Sequence, residues 1–190
     1  MHQTDHSSYA AAVPLPSEQI LSDAMGKTYD AEKTLNVVKM FAGAGDLFPA
    51  VDGLIQAIFG TEGIDAKTRE LIIVRTAKVL GCTYAVQVGA VLARNTGLSA
   101  QEIDAALGDG PVSGIDPDYV LLCRAVDELS TQATLSDETL TRMQSKYDDT
   151  LCRKFVLMIS WFNMVNRFEN GCRVPSEPAE KIQGMKSPVA

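Results

Sequence analysis

Imidazole is the scarcest chemical group in this chain. Its 190 residues include two histidines, His2 and His6, both in a polar, Ser-bearing N-terminal stretch. Unless that stretch folds back, Ser-His-Asp and Cys-His catalysis, HExxH zinc chemistry and His-built metal sites are excluded. His2 and His6 stand at i, i+4 but read as solvated tail residues, so no metal site is expected. Cysteine is sparse as well. Cys82, Cys123, Cys152 and Cys172 lie far apart with no CxxC, the pattern of reduced thiols and not of a disulfide scaffold. No GxGxxG or GxxxxGK[ST] follows a strand, so no nucleotide loop and no cofactor is expected.

Positive charge is also in short supply. With 17 basic against 24 acidic residues the net charge is −7 and the pI near 4.8. Phosphate backbones are held mainly by Lys and Arg, so a general nucleic-acid binder is excluded, and an anionic membrane surface is not favoured. No apolar run approaches the ~20 residues of a membrane span. The start, MHQTDHSSYAAAVPLP, has neither the basic opening nor the apolar stretch of a signal peptide, and the expected compartment is the cytoplasm.

What the chain does have is 46% hydrophobic residues, spaced for helices and sufficient for one core. The expected organisation is a flexible N-terminal tail over 1–16, a single all-helical domain over 17–175 and a C-terminal tail over 176–190. Within the domain the periodicity predicts eight or so helices: from Ser17 to Met25, Ala31–Ala42, Asp46 to Gly60, Ala66–Leu80, Cys82–Asn95, Ser99 to Leu107, Asp116 to Ser130, Ser136 to Tyr147 and Asp149–Gly171. Pro49 falls in a first turn, where a missing N–H is harmless. Ser99-Ala-Gln-Glu102 spells a capping box, and no strand is expected.

Three segments hold residues able to do chemistry. Glu70 lies on the side of Ile73, Val74 and Ala77, where desolvation would raise its pKa toward neutrality and suit it to proton transfer. The competing reading is an ion pair with Arg69 or Arg75. Cys82 follows Gly81 in a first turn, where exposed N–H groups lower a thiol's pKa; a small buried hydrophobe is the competing reading. Asn163, Arg167 and Asn170 fall at i, i+4 and i+7, a stripe able to grip a carboxylate or to bridge two helices or subunits.

Together these segments resemble the carboxymuconolactone decarboxylase family, within the AhpD-like (alkylhydroperoxidase D) superfamily. The resemblance rests on Arg69-Glu70-Leu71, Cys82 twelve residues after Glu70, Ala93-Arg94, Gly97-Leu98-Ser99 and Glu102-Ile103, in order and spacing. Flanking similarity, including Trp161-Phe-Asn163-Met-Val-Asn166-Arg167, extends it over roughly Thr34 to Pro175. It implies an AhpD-like helical bundle, a homo-oligomer with Trp161 and Phe162 as interface candidates, and a pocket near the Glu70 and Cys82 helices. The departures bear on function. Where thiol-peroxidase members carry a second Cys and a His, and decarboxylase members commonly a Glu and the His, this chain has Ala85 and Gly89. Of the family's polar centre Glu70, Cys82 and Tyr84 remain.

The leading expectation is a cofactor-independent lyase, isomerase or hydrolase acting on a small carboxylated ring-cleavage product or lactone, in a setting of aromatic-compound catabolism. Glu70 would shuttle the proton, Cys82 and Tyr84 would line the pocket, and Asn163, Arg167 and Asn170 would bind the substrate. A thiol peroxidase using Cys82 without CxxC and a non-catalytic oligomeric binding protein are the alternatives.

Overall fold

Local sequence dictates most of the architecture. The structure, a computed structural model, describes residues 11–187; His2 and His6 lie outside them. The described residues form ten α-helices and no strand: α1 (Glu18–Met25), α2 (Asn36–Ala42), α3 (Phe48–Phe59), α4 (Ala66–Val79), α5 (Thr83–Thr96), α6 (Ala100–Leu107), α7 (Pro117–Gln132), α8 (Asp137–Lys146), α9 (Asp149–Cys172) and α10 (Ala179–Ile182). Side chains of Ser17, Asp65, Ser99, Asp116, Ser136 and Asp148 accept a backbone N–H of their own helix, satisfying donors that the first turn leaves unpaired. The Ser99–Glu102 capping box forms in both directions.

Helix α2 is shorter than its periodicity predicts. Asp30 Oδ1 accepts from the backbone N–H of Glu32 (3.0 Å) and Lys33 (3.2 Å), which holds residues 30–34 in a turn and delays the helix to Asn36. Between α4 and α5 the chain reverses at Gly81 (φ 62°), a conformation that costs a side-chain-bearing residue energy, and the Cys82 N–H closes back on Ala77 O at 2.9 Å.

Helix α4 is the centre of the fold, with α5, α6, α7 and α9 packed around it. A helix buried nearly all round must satisfy its polar side chains internally. Arg75 does so with Asp127 through Nε (2.6 Å) and Nη2 (2.8 Å), and with the carbonyls of Ala106, Gly108 and Gly110 at 2.7–3.1 Å. It thereby pins the loop after α6 and is not available to Glu70.

The segment after α9 lies along α5. Val174, Glu177, Ile182 and Ser187 are buried. Gln87 exchanges hydrogen bonds with the backbone of Glu177 (3.0 and 3.2 Å), and Asn95 donates to the carbonyls of Gln183 (3.1 Å) and Met185 (2.6 Å). This strap delivers Ser187 to α4. No helix among the described residues is long and apolar enough to cross a membrane.

Candidate active site

Helices α2, α3, α4, α5 and α9 leave a hollow of about 190 Å³ between them, walled by aliphatic and aromatic side chains including Phe41, Ile73, Val88, Trp161 and Phe162. Ala85 and Gly89 are part of its α5 wall. A Cβ at Gly89 would meet Ile73 and Val74 of α4 at 3.4–3.5 Å, ordinary contact distances. Among the described residues the lining includes two carboxyls, Glu70 and Glu169, one amide, Asn166, one phenol, Tyr84, and the indole of Trp161.

Glu70 is fully buried (0% exposed). Its Oε1 accepts a short hydrogen bond from Ser187 Oγ, which in turn accepts from Arg69 Nη2 at 3.0 Å. Arg69 also donates to Phe59 O (3.0 Å) and lies over the Phe59 ring. Glu70 Oε2 has no hydrogen-bond partner among the described residues. Desolvation pushes this carboxyl above its usual range, opposed by the Ser187 hydroxyl and the charge of Arg69.

Glu169, four per cent exposed, faces the same hollow from α9. Desolvation pushes its pKa up to about 8, against a single favourable donor, the Cys82 thiol, whose Sγ stands 3.2 Å from Oε2. Cys82 is buried behind this carboxyl and is not part of the lining. The expectation of an acidified thiol is overturned. Burial and the neighbouring Glu169 push the thiol up and outweigh the lowering by the N–H groups of Ala85 and Tyr84.

Tyr84 contributes its ring to the hollow, but its hydroxyl is committed elsewhere. It donates to Glu177 Oε1 (2.7 Å) and accepts from the N–H of Val37 (3.2 Å), while Glu177 pairs with Lys181 at 2.8 Å. Burial and that carboxylate push the phenol pKa up. Tyr84 therefore ties α2, α5 and the strap together.

The Asn163, Arg167 and Asn170 stripe does not meet the hollow. Successive helical residues turn by 100°, so Phe162, Val165, Asn166 and Glu169 share the face toward the hollow and the predicted stripe is rotated one residue past it. Asn163 donates to Ser130 Oγ (2.9 Å) and accepts from Arg167 Nη1 (2.7 Å), and Asn170 donates to Leu80 O (3.2 Å). Asn163 and Asn170 thus join α9 to its neighbours, while Arg167 braces Asn163 on α9 itself. Trp161 and Phe162, expected at an interface, are buried within this chain. Asn166 and Glu169 were missed as site residues; the available signal was an amide and an acid three apart on an otherwise apolar helix face.

Residues 45–115 match the carboxymuconolactone decarboxylase family model. The match takes in α3 to α6 and with them Glu70, Cys82, Tyr84, Ala85 and Gly89. Asn166 and Glu169 lie outside the matched residues. The fold is that of an uncharacterized peroxidase-related protein from Silicibacter sp. TM1040 (TM-score 0.77, 16% identity, 93% of this chain and 94% of that one). It is equally that of an uncharacterized peroxidase-related protein with an alkylhydroperoxidase AhpD core from Ralstonia eutropha JMP134 (TM-score 0.75, 16% identity, 93% and 98%). A protein of unknown function from Agrobacterium tumefaciens is similar over 73% of this chain and 96% of its own (TM-score 0.63, 23% identity). No curated protein matches the chain. The all-helical AhpD-like bundle expected from the resemblance is thus the observed fold.

Proposed function

We propose that this chain is a carboxymuconolactone decarboxylase-like enzyme, a lyase or isomerase that moves a proton on a small organic molecule with its own carboxyl groups. The observation that carries this reading is the pair of buried carboxyls, Glu70 and Glu169, in unlike surroundings on one apolar hollow. Pairs of titratable groups pushed apart by their environments divide into acid and base. Glu70, supported by Arg69 through Ser187, is the base; Glu169, with its pKa near 8, is protonated at neutral pH and is the acid. Glu70 takes a proton from the substrate as Glu169 returns one elsewhere, which leaves the product's composition unchanged in an isomerisation.

The hollow narrows the substrate. None of its lining residues is Lys or Arg, so a carboxylated substrate would meet two acids and no cation. An uncharged lactone or enol suits it better than the acidic ring-cleavage product expected from sequence. A homo-oligomer remains part of the proposal, with Leu157 and Met164 exposed seven residues apart on α9. Turnover of a panel of lactones and enols, followed by absorbance, tests the reading. Glu70→Gln should keep the fold and lower turnover by ~10²-fold or more, and unchanged turnover removes Glu70 from the mechanism.

One contact favours a second reading. The Cys82–Glu169 hydrogen bond places a proton acceptor on the thiol, as a thiol peroxidase would need. Mass spectrometry after peroxide treatment decides it: an unoxidised Cys82 eliminates it.

A further inference from the structure

Two buried oxygens on residues that line the hollow accept no hydrogen bond from the described residues. Glu70 Oε2 is one and Asn166 Oδ1 the other, on residues 0% and 1% exposed. The orientation of the Asn166 amide follows from its neighbour: its nitrogen sits 2.7 Å from Phe162 O, an atom that can only accept, so the oxygen is the end left over. Buried acceptors without a donor are rare in folded proteins and costly. Here both belong to residues lining the same hollow, whose remaining walls are almost entirely hydrocarbon. The hollow thus presents two acceptors that still need a donor, and no Lys or Arg lines it.

From this geometry we propose that the hollow binds a small uncharged molecule with an apolar body and a hydroxyl group, whose O–H donates to Asn166 Oδ1 or Glu70 Oε2. A dry apolar cavity of roughly 150 Å³ takes one benzene ring, so about 190 Å³ accommodates a single ring or its equivalent bearing one or two small substituents. Hydroxylated rings and enols have this chemistry; carboxylates have the wrong charge, and plain hydrocarbons leave both oxygens unpaired. The inference rests on the proton-transfer reading and deepens it. A hydroxyl seated against the Glu70 carboxyl is the proton that an enol-to-ketone isomerisation has to move, with the carbon end of the enol accepting a proton in exchange.

Phenol, toluene and benzoate separate these chemistries at nearly constant size. Trp161 is the single tryptophan of the chain and lines the hollow, so its fluorescence reports occupancy. At pH 7 phenol should quench it with at least about tenfold higher affinity than toluene, the difference expected for a hydroxyl that pairs a buried acceptor, and benzoate should bind worst. Asn166→Leu, which removes one of the two acceptors, should weaken the preference for phenol. Toluene binding as tightly as phenol, benzoate binding more tightly than phenol, or no binding of phenol overturns the proposal, and these wild-type comparisons need no variant to fold. The proton-transfer reading fails separately. If Glu70→Gln retains full turnover while phenol is still preferred, the binding inference stands and the mechanism falls.

Discussion

Two buried carboxyls, Glu128 on α7 and Glu169 on α9, show how differently one side chain behaves when its donors differ. Burial raises the pKa of both. Glu128 then receives the Ser136 N–H (2.8 Å), the Thr139 hydroxyl (2.7 Å), Arg124 Nε (3.0 Å) and the Ser136 hydroxyl (2.9 Å), and these bring it down to about 2. Glu169 receives one weak thiol donor and rises to about 8. The first carboxylate is a fixed ionic anchor that holds the N-terminus of α8. The second is left undersupplied beside an apolar hollow, a condition a purely structural residue has no reason to keep.

The largest expected effect follows from removing each in turn. Glu128→Ala strips partners from Ser136, Thr139 and Arg124 and should cost about 2–4 kcal/mol in urea unfolding. Glu169→Gln replaces a carboxyl that is already neutral at pH 7 with an amide of similar shape and should change stability by about 1 kcal/mol or less. If the two cost the same, the contrast between the anchored and the undersupplied carboxyl is lost.

The pH dependence of stability should separate them with opposite signs. Glu128 has a folded pKa below its ordinary 4.5, so its contribution is complete above that value and is lost as pH falls toward about 2. Glu169 has a folded pKa above its ordinary 4.5; the folded state binds the proton more tightly, and stability falls as pH rises from 4.5 toward about 8. Urea midpoints across this upper window should decline more steeply for the wild type than for Glu169→Gln. Parallel profiles would show that Glu169 titrates normally.

The anchor was legible in the sequence only as a cap. Ser136 announces the start of α8, but its link to Glu128 eight residues earlier depends on how α7 and α8 meet. Most helices were legible, because caps, glycines and apolar period agree; the start of α2 was not, since Asp30 offers its backbone a competing turn. At the site, Glu70 could be read from its apolar helix face. Glu169 could not be paired with Cys82, since 87 residues separate them. The Asn163, Arg167 and Asn170 stripe lies one position off the hollow because residue type does not decide which face of α9 turns inward, whereas the packing of Phe162 and Val165 does. The strap escaped notice entirely, its Pro-bearing sequence concealing a segment pinned by Gln87, Tyr84 and Asn95.

That strap supplies a smaller test. Ser187 donates to Glu70 and so favours the ionised form, and Ser187→Ala should raise the Glu70 titration by about one pH unit. The titration is followed by Trp161 emission and assigned by its disappearance in Glu70→Gln. Ser187→Thr, which keeps the hydroxyl, should restore the wild-type value. A titration unmoved in Ser187→Ala would mean that Arg69 and burial alone set the state of Glu70, making the strap a cover and not part of the site.

The smallest effect is expected at Cys82, and it bears on the same contrast from the other side. A thiol is a weak donor, so Cys82→Ala should raise the Glu169 titration by no more than about half a unit, whereas Cys82→Ser, with its stronger O–H, should lower it. The thiol itself should resist alkylation in the folded protein, because it is buried and held in the protonated form by its carboxyl neighbour. Cys172, half-buried at the end of α9, should react first. Rapid modification of Cys82 in the native state would place water and reagent beside Glu169. With water there the desolvation that holds this carboxyl near 8 would be gone, and Glu169 would titrate as an ordinary carboxyl.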